Sequence, residues 1–274
     1  MITSLNNSKI KHLCELQTKK RTRIKEGVFV VEGFRIFEEV PNNLIKEIYF
    51  EEGTCVRNEI GDKAPSSHLM KTFEKIEKCR QNGIFVEELS HEVFKKASDT
   101  DSPQGVICVV KMPQWQLKDI IANIPKGSKG NLLILEDIQD PGNLGTMVRT
   151  AEAAGISGII MSEGCVDIFN PKTVRSTMGS VFRVPTVYVS NLPTTLETVK
   201  RAGIKLYAAS LKAKGEYDRI EYEGRSGILI GNEGNGLSQE VMNQADIGVI
   251  IPMQGQIESL NASVAAALMM YICR

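Results

Sequence analysis

Three separated segments in the second half of the sequence combine glycines with polar side chains, as ligand-binding loops do. Residues 136–150 contain an Asp-Pro-Gly-Asn turn, followed by a helix-like pattern that carries Arg149. Residues 170–185 begin with a proline-led helix whose basic and hydroxyl side chains suit phosphate groups. Residues 229–267 contain two glycine-rich loops, whose backbone N–H and C=O groups can approach a ligand without hindrance from Cβ atoms.

Each segment also has a plain structural interpretation. Asn143 could cap the helix that follows it, and Arg149 could be an ordinary surface residue. The glycines of the third segment could form simple turns. Two loops that each carry one carboxylate, Glu233 and Glu258, are harder to explain in that way. This pair of loops therefore favours a functional site.

The sequence lacks the usual motifs of several other enzyme classes. Residues 231–238 (GNEGNGLS) contain no lysine, and their glycines do not follow the dinucleotide-binding spacing, so nucleotide hydrolysis and NAD chemistry are weak hypotheses. The histidines lie in the first half and the six cysteines are at least 24 residues apart, so no metal site is expected. These residues are His12, His68, His91, Cys14, Cys55, Cys79, Cys108, Cys165 and Cys273.

The apolar stretches and the cysteine spacing also bear on cellular location. The first fifteen residues contain no apolar stretch of the kind that a secretory signal needs. The longest apolar stretch, near 262–273, is too short to span a bilayer. We therefore expect a cytoplasmic protein with reduced cysteines and no membrane association.

Short apolar runs alternate with helix-like patterns along the chain, which predicts an α/β fold. Residues 132–136 (LLILE) form a continuous apolar run, as expected for a parallel strand covered on both faces. A mostly parallel sheet binds ligands at the carboxyl ends of its strands, so these ends should position the three segments. Prolines and glycines between residues 111 and 130 indicate a linker, and we expect domains at 1–110 and 131–274.

Charge is balanced overall but unevenly distributed along the chain. The 33 basic and 33 acidic side chains exclude a uniformly basic nucleic-acid coat. The basic excess lies in the first 130 residues, mostly between Lys9 and Lys25. Such a cluster is either a solvated helix face or a patch that contacts phosphates. We predict phosphate contacts in this cluster and in the second segment, at Lys19, Lys20, Arg21, Arg23, Lys172 and Arg175.

Together the three segments resemble the three motifs of the SpoU (or TrmH) family of RNA ribose 2′-O-methyltransferases, in the SPOUT superfamily. The resemblance covers about residues 132–274. Through residues 29–35 (FVVEGFR) and 102–105 (SPQG), the first half resembles, more weakly, a small α/β RNA-binding domain of ribosomal-protein-like fold. The resemblance implies a carboxyl-terminal trefoil knot, bound S-adenosylmethionine and a homodimer, although general topology argues against any knot.

The resemblance also assigns roles to residues of the motifs. Backbone groups at Gly231, Ile251 and Leu260 would hold S-adenosylmethionine, and Arg149 would activate the ribose hydroxyl. Four further residues would complete the polar site: Asn143, Glu233, Ser259 and Asn261. Because a guanidinium holds its proton tightly, it is a poor base. We therefore prefer a role in which Arg149 orients the phosphate or stabilises the developing alkoxide, with no metal required.

The implied substrate is ribosomal rather than transfer RNA, because the additional N-terminal domain is typical of enzymes that find a site in folded RNA. DNA of the same sequence should not be methylated, since the 2′-hydroxyl distinguishes RNA from DNA. The alternatives are a transfer RNA methyltransferase, a non-catalytic RNA-binding module with the same fold, and an unrelated α/β nucleotide-binding enzyme. The presence of Arg149, Glu233 and Asn261 argues against the non-catalytic module.

Overall fold

The computed structural model describes residues 1–54, 67–124, 130–222 and 224–273. Cys55, the side chain of His68, residues 125–129 of the predicted linker and Arg274 lie outside the described residues. The chain divides into two compact units. The first consists of Met1–Pro113 and Phe169–Phe182, and the second of Gln114–Ile168 and Arg183–Arg274.

The first unit contains a mixed sheet. Its strands are β1 Val28–Glu32, β2 Ile45–Glu51, β3 Phe85–Leu89 and β4 Val106–Lys111. They lie in the order β1-β4-β2-β3; β2 and β3 are parallel, and both β1 and β2 are antiparallel to β4. The helices that precede residue 113 are α1 Ser8–Thr18, α2 Lys20–Glu26, α3 Phe34–Glu39, α4 Ser67–Gln81 and α5 His91–Ala97.

The core of the first unit forms where α1 packs against β1 and α5. Ile10, Leu13 and Leu16 of α1 recur at helical spacing and are at most 1% exposed. All five residues of β1 are buried, including the carboxylate of Glu32 at its end. Glu32 accepts hydrogen bonds from Ser98 Oγ at 2.5 Å and from the Asp99 backbone N–H at 2.9 Å. These bonds satisfy the buried carboxylate and fix the chain that leads into β4.

The second unit is built on a parallel sheet. Its strands are β5 Gly130–Leu135, β6 Gly158–Ser162, β7 Thr186–Val189, β8 Lys205–Ala209, β9 Gly215–Glu216, β10 Arg225–Ile230 and β11 Ile247–Ile250. They lie in the order β7-β6-β5-β10-β8-β11-β9, and every adjacent pair is parallel. The remaining helices are α6 Leu117–Ala122, α7 Pro141–Ala154, α8 Pro171–Thr177, α9 Leu192–Arg201, α10 Gln239–Gln244 and α11 Ala262–Ile272. The predicted α/β fold with a mostly parallel sheet is confirmed.

The strand order reverses direction at the middle of this sheet. From β5 the chain adds β6 and β7 on one side, and then crosses to place β8 on the other side. β10 returns to fill the position between β5 and β8. In open parallel sheets, ligands bind at the carboxyl ends of the strands beside such a reversal. The loops after β5 and β10 therefore occupy the expected position of a site.

Two segments depart from the simple division of the sequence at residues 111–130. Helix α6 lies within the predicted linker, and Ile120 and Ile124 are buried in the core of the second unit. Leu117, Ile120 and Ile124 recur at helical spacing, a signal that the prolines and glycines around them obscured. Helix α8 packs on β1 and so belongs to the first unit, although it follows β6 in the chain.

Candidate active site

The loops after β5 and β10 are joined by the carboxylate of Glu233. Its Oε1 accepts hydrogen bonds from Asn143 Nδ2 at 3.0 Å and from the Asp140 backbone N–H at 3.2 Å. Its Oε2 accepts one from the Gln139 backbone N–H at 3.1 Å. A single exposed carboxylate thus links the loop after β10 to the first turn of α7.

Burial raises the pKa of Glu233, but hydrogen bonding outweighs this effect. The Asn143 amide and the backbone N–H groups of Gln139, Glu233 and Asp140 hold the pKa below its ordinary value. The carboxylate is therefore fully ionised at neutral pH and a weak base. Its chemistry fits a positioning role better than proton transfer.

The network continues into the third loop through Asn261. Asn261 Nδ2 donates to Asn143 Oδ1 at 3.0 Å. Asn261 Oδ1 in turn accepts hydrogen bonds from the Ser263 backbone N–H at 2.8 Å and from Ser263 Oγ at 2.6 Å, and so caps α11. The direction of the bonds runs from Ser263 through Asn261 and Asn143 to Glu233. The structure therefore brings together three of the residues predicted to form the polar site.

Asn143 does not cap α7. The N-cap is Asp140, whose Oδ1 accepts a hydrogen bond from the Asn143 backbone N–H at 2.7 Å, and Pro141 occupies the first helical position. The alternative that Asn143 is only a capping residue was wrong. Its side chain instead links Glu233 to Asn261.

The loop after β10 is folded tightly back on itself. A Cβ at Gly231 would lie 2.2 Å from the Gly236 carbonyl carbon and 2.2 Å from the Leu237 backbone nitrogen, so any larger residue would force the loop backbone to shift. Asn232 Oδ1 accepts from the backbone N–H groups of Gly234 at 2.9 Å and of Asn235 at 3.0 Å. The loop conformation is therefore fixed by its own sequence.

A cavity of about 540 Å³ lies within the second unit, a size typical of small-molecule sites. The loops after β8, β10 and β11 and the start of α11 line it. Five predicted site residues are among those that line it: Gly231, Glu233, Ile251, Ser259 and Leu260. Small residues such as Ala209, Ala262 and Ala265 leave room, while Met253 and Leu237 add apolar surface.

Arg149 lies outside this lining, on the exposed side of α7. It makes no hydrogen bond or ion pair with any residue that the structure describes. Its guanidinium therefore remains available for an external anion. Its predicted role in the reaction stays a prediction.

Two family models match the chain, one in each half of the sequence. Residues 130–271 match the model of the SpoU rRNA methylase family, and residues 7–108 match that of the MRM3-like substrate binding domain. A 23S rRNA guanosine 2′-O-methyltransferase of Bacillus subtilis is 33% identical over 275 residues, which cover 100% of this chain and 98% of the relative. The chain belongs to the SpoU rRNA methylase family.

Solved structures are consistent with this membership. An rRNA methyltransferase from Sinorhizobium meliloti is 28% identical and superimposes with a TM-score of 0.82, over 100% of this chain and 96% of that chain. The same enzyme has been solved with AdoMet bound, with the same TM-score, identity and coverage. The family resemblance inferred from the three motifs is confirmed.

The basic residues predicted to contact phosphates fall into different environments in this SpoU family member. Lys19, Lys20 and Arg21 are exposed, and Lys19 also pairs with Glu15 at 2.7 Å. Arg23, in contrast, is 2% exposed, and its Nη1 donates to the carbonyl oxygens of Leu16 at 2.7 Å and Gln17 at 2.9 Å. The prediction for Arg23 was wrong, because this guanidinium is buried and donates hydrogen bonds to carbonyl groups in the last turn of α1.

The second basic group lies on α8, in the first unit of this SpoU family member. Lys172 is exposed. Arg175 is partly buried and its Nη1 donates to Asp99 Oδ2 at 2.7 Å. Arg175 thus stabilises the packing of α8 within the first unit, while phosphate contacts at both residues stay predictions.

Sequence reasoning missed the loop after β8, whose Ser210, Leu211 and Lys212 line the cavity. These residue types carry no motif, and only the strand order places them between the two glycine-rich loops. Among the residues that the structure describes, no group of His, Cys, Asp and Glu side chains could hold a metal ion. Within the same residues, no helix is sufficiently long and apolar to cross a membrane.

Proposed function

We propose that this SpoU family member transfers the methyl group of S-adenosylmethionine to a ribose 2′-hydroxyl of structured ribosomal RNA. The observation that carries the proposal is the hydrogen-bonded link from Asn261 through Asn143 to Glu233, which joins the loops after β5, β10 and β11 beside a cavity of ligand size. The family membership and the ribosomal RNA methyltransferase from Bacillus subtilis support the reaction and the substrate class.

The residues around the cavity suit S-adenosylmethionine. The cavity has the volume of a site for a ligand of this size, with apolar walls at Ile251 and Leu260 for a flat base and polar groups at Glu233 and Ser259. Gly231 allows backbone groups of its loop to form the wall. When bound, the cofactor supplies an electrophilic methyl group on a positively charged sulfur.

The protein's part in the reaction is alignment and charge stabilisation. Asn143, Glu233 and Asn261 hold the loops in one arrangement, so that the cofactor pocket and α7 keep a fixed relation. Arg149, with no partner among the described residues, orients the RNA phosphate or stabilises the alkoxide that develops at the 2′-oxygen. Ser259 contributes a further hydroxyl at the cavity wall.

We assign RNA recognition to residues 1–110 and methyl transfer to residues 131–274. The match of residues 7–108 to a substrate-binding domain supports the first assignment. Lys19, Lys20 and Arg21 provide the exposed positive charge, with Lys172 on α8. Transfer RNA is the less favoured substrate, because the relative from Bacillus subtilis, which covers the whole chain, acts on 23S rRNA.

We also propose a homodimer formed through the second unit, a trefoil knot at its carboxyl end and a cytoplasmic location. Val264, Tyr271 and Ile272 of α11 are 46%, 44% and 38% exposed, and such an apolar surface favours association. Free cysteines at five described positions suit a reducing compartment. Light scattering during size-exclusion chromatography tests the dimer.

Mass spectrometry of RNA nucleosides tests the function. Purified protein, S-adenosylmethionine and ribosomal RNA should yield one 2′-O-methylated nucleotide, and DNA of the same sequence should yield none. Ribosomal RNA from a strain that lacks the gene should have lost the same methyl group. Unchanged ribose methylation in that strain, together with inactive purified protein, would refute the proposal and leave an RNA-binding module.

A further inference from the structure

The loop after β8, residues 210–214, belongs to none of the three motifs, yet it forms part of the cavity wall. β8 lies between β10 and β11 in the sheet, so the carboxyl end of β8 lies between the two glycine-rich loops. Ser210, Leu211 and Lys212 line the cavity. Ser210 Oγ accepts a hydrogen bond from the Lys212 backbone N–H at 3.3 Å, which turns the chain at this point.

The charges around the cavity are unequal. Two carboxylates line it, at Glu233 and Glu258, and Lys212 is the only cationic side chain among the described residues that do so. Glu233 is already engaged by the donors described above. Lys212 is exposed and its ammonium has no hydrogen bond or ion pair with any described residue. An available cation therefore stands at a cavity whose other charged groups are negative.

We propose that Lys212 binds the α-carboxylate of the methionine portion of the cofactor, an inference that rests on the proposed function. This carboxylate is the only anionic group of S-adenosylmethionine. Near Glu233 and Glu258 an uncompensated carboxylate would be repelled, and an ammonium offsets that repulsion. Lys212 is a better partner for the cofactor than for an RNA phosphate, because its loop lines the cofactor cavity and follows the strand between β10 and β11.

The ligand pair that isolates this contact is S-adenosylhomocysteine and 5′-methylthioadenosine. The first carries the carboxylate, and the second keeps the base and ribose but lacks the amino-acid portion. Isothermal titration calorimetry on the full-length protein measures both affinities for the wild type, Lys212→Met and Lys212→Arg. Lys214→Met is the matched control, because Lys214 is an exposed lysine on the same loop that does not line the cavity.

We expect Lys212→Met to weaken S-adenosylhomocysteine binding about fivefold, as for a solvent-accessible ion pair, and to leave 5′-methylthioadenosine binding unchanged. Lys212→Arg should retain most of the wild-type affinity, and Lys214→Met should retain all of it. The loss in Lys212→Met should shrink as salt concentration rises, since the contact is electrostatic.

Equal affinities of Lys212→Met and wild type for S-adenosylhomocysteine would overturn the inference while leaving the proposed function in place. An equal loss for both ligands would also overturn it, because it would indicate packing rather than charge. Reduced RNA affinity with unchanged ligand affinity would assign Lys212 to the RNA instead. If the wild type bound neither ligand, the proposed function itself would fail.

Discussion

The tight fold of the loop after β10 allows a sharp test within one loop. Gly231 and Gly234 both line the cavity, and neither has a positive φ, so alanine is acceptable to the backbone at both positions. A Cβ at Gly231 would lie 2.2 Å from backbone atoms of Gly236 and Leu237. A Cβ at Gly234 would meet only Asn232 Oδ1, at 3.6 Å. The two substitutions therefore differ mainly in steric cost.

The magnitudes follow from that difference. Both alanines restrict the unfolded chain equally, which stabilises the fold by about 0.4–1 kcal/mol where there is no strain. The contact at Gly231 cannot be relieved by a side-chain rotation, because the atoms are backbone, so overpacking should cost about 1–3 kcal/mol. For a unit of this size, Gly231→Ala should unfold about 3–10 °C below Gly234→Ala.

Cofactor binding should separate the two variants in the same direction. Opening the loop at Gly231 displaces the cavity wall, and we expect S-adenosylhomocysteine affinity to fall at least about tenfold, since each 1.4 kcal/mol is a factor of ten. Gly234→Ala should bind within about twofold of the wild type. Calorimetric titration and thermal unfolding of both proteins measure these effects. Equal stability and affinity in the two variants would show that the loop does not form the compact turn described above.

Three further outcomes follow from the site and the charged surface. Arg149→Ala should leave cofactor affinity unchanged and lower the single-turnover methylation rate about 10²–10³-fold; an unchanged rate would remove Arg149 from the mechanism. The pKa of Glu233 in the folded protein is below its ordinary value in the unfolded chain. The ionised carboxylate therefore stabilises the folded loops above the unfolded-state pKa, and this stabilisation is lost as pH falls through the folded-state pKa. Cofactor affinity should thus be constant from about pH 8 to about pH 5 and fall at lower pH, whereas a Glu233→Gln variant should be weaker at about pH 7 and lack the acid-dependent fall. Alanine at the exposed Lys19, Lys20 and Arg21 should weaken RNA binding and reduce the dependence of log affinity on log salt concentration by roughly 0.7–0.9 per lost phosphate contact. Alanine at the buried Arg23 should lower the stability of the fold instead. If the salt dependence did not change, the three exposed residues would be only a solvated helix face.

The sequence predicts the site best where polar residues directly follow the carboxyl ends of predicted strands. The loops that carry Asn143, Glu233 and Asn261 can be grouped from the sequence, because polar loops that follow apolar strands of a parallel sheet meet at one edge, whereas the choice of these three residues comes from the family resemblance. Pro141 carries a further signal. Proline favours the first helical position, which makes Asp140 the cap and releases the side chain of Asn143 for the link to Glu233.

Other features depend on long-range packing and have no local signal. The loop after β8 is part of the cavity through the strand order β10-β8-β11, which alternation of helices and strands does not determine. Arg23 is identical in type to its exposed basic neighbours, and only the close approach of α2 to the end of α1 buries it. Helix α8 carries a motif of the methylase family, yet it packs with the first unit through Arg175 and Asp99.

The arrangement of the site limits the ways in which it can accelerate methyl transfer. Glu233 cannot serve as a strong base, because hydrogen bonds lower its pKa. Among these bonds, the one from Asn143 also connects the loops of the site. Protonating Glu233 would weaken the hydrogen bond from Asn143, which in turn accepts from Asn261. The low pKa of the Glu233 carboxylate favours positioning over proton transfer, and the proposed mechanism therefore assigns activation of the 2′-hydroxyl to alignment and to cationic charge outside the cavity. In the proposed mechanism Arg149 provides that charge, since it lies on the helix whose first turn Glu233 contacts and has no partner among the described residues. The proposed mechanism thus assigns cofactor binding and charge stabilisation to separate side chains, on loops and a helix that the same hydrogen-bond network connects.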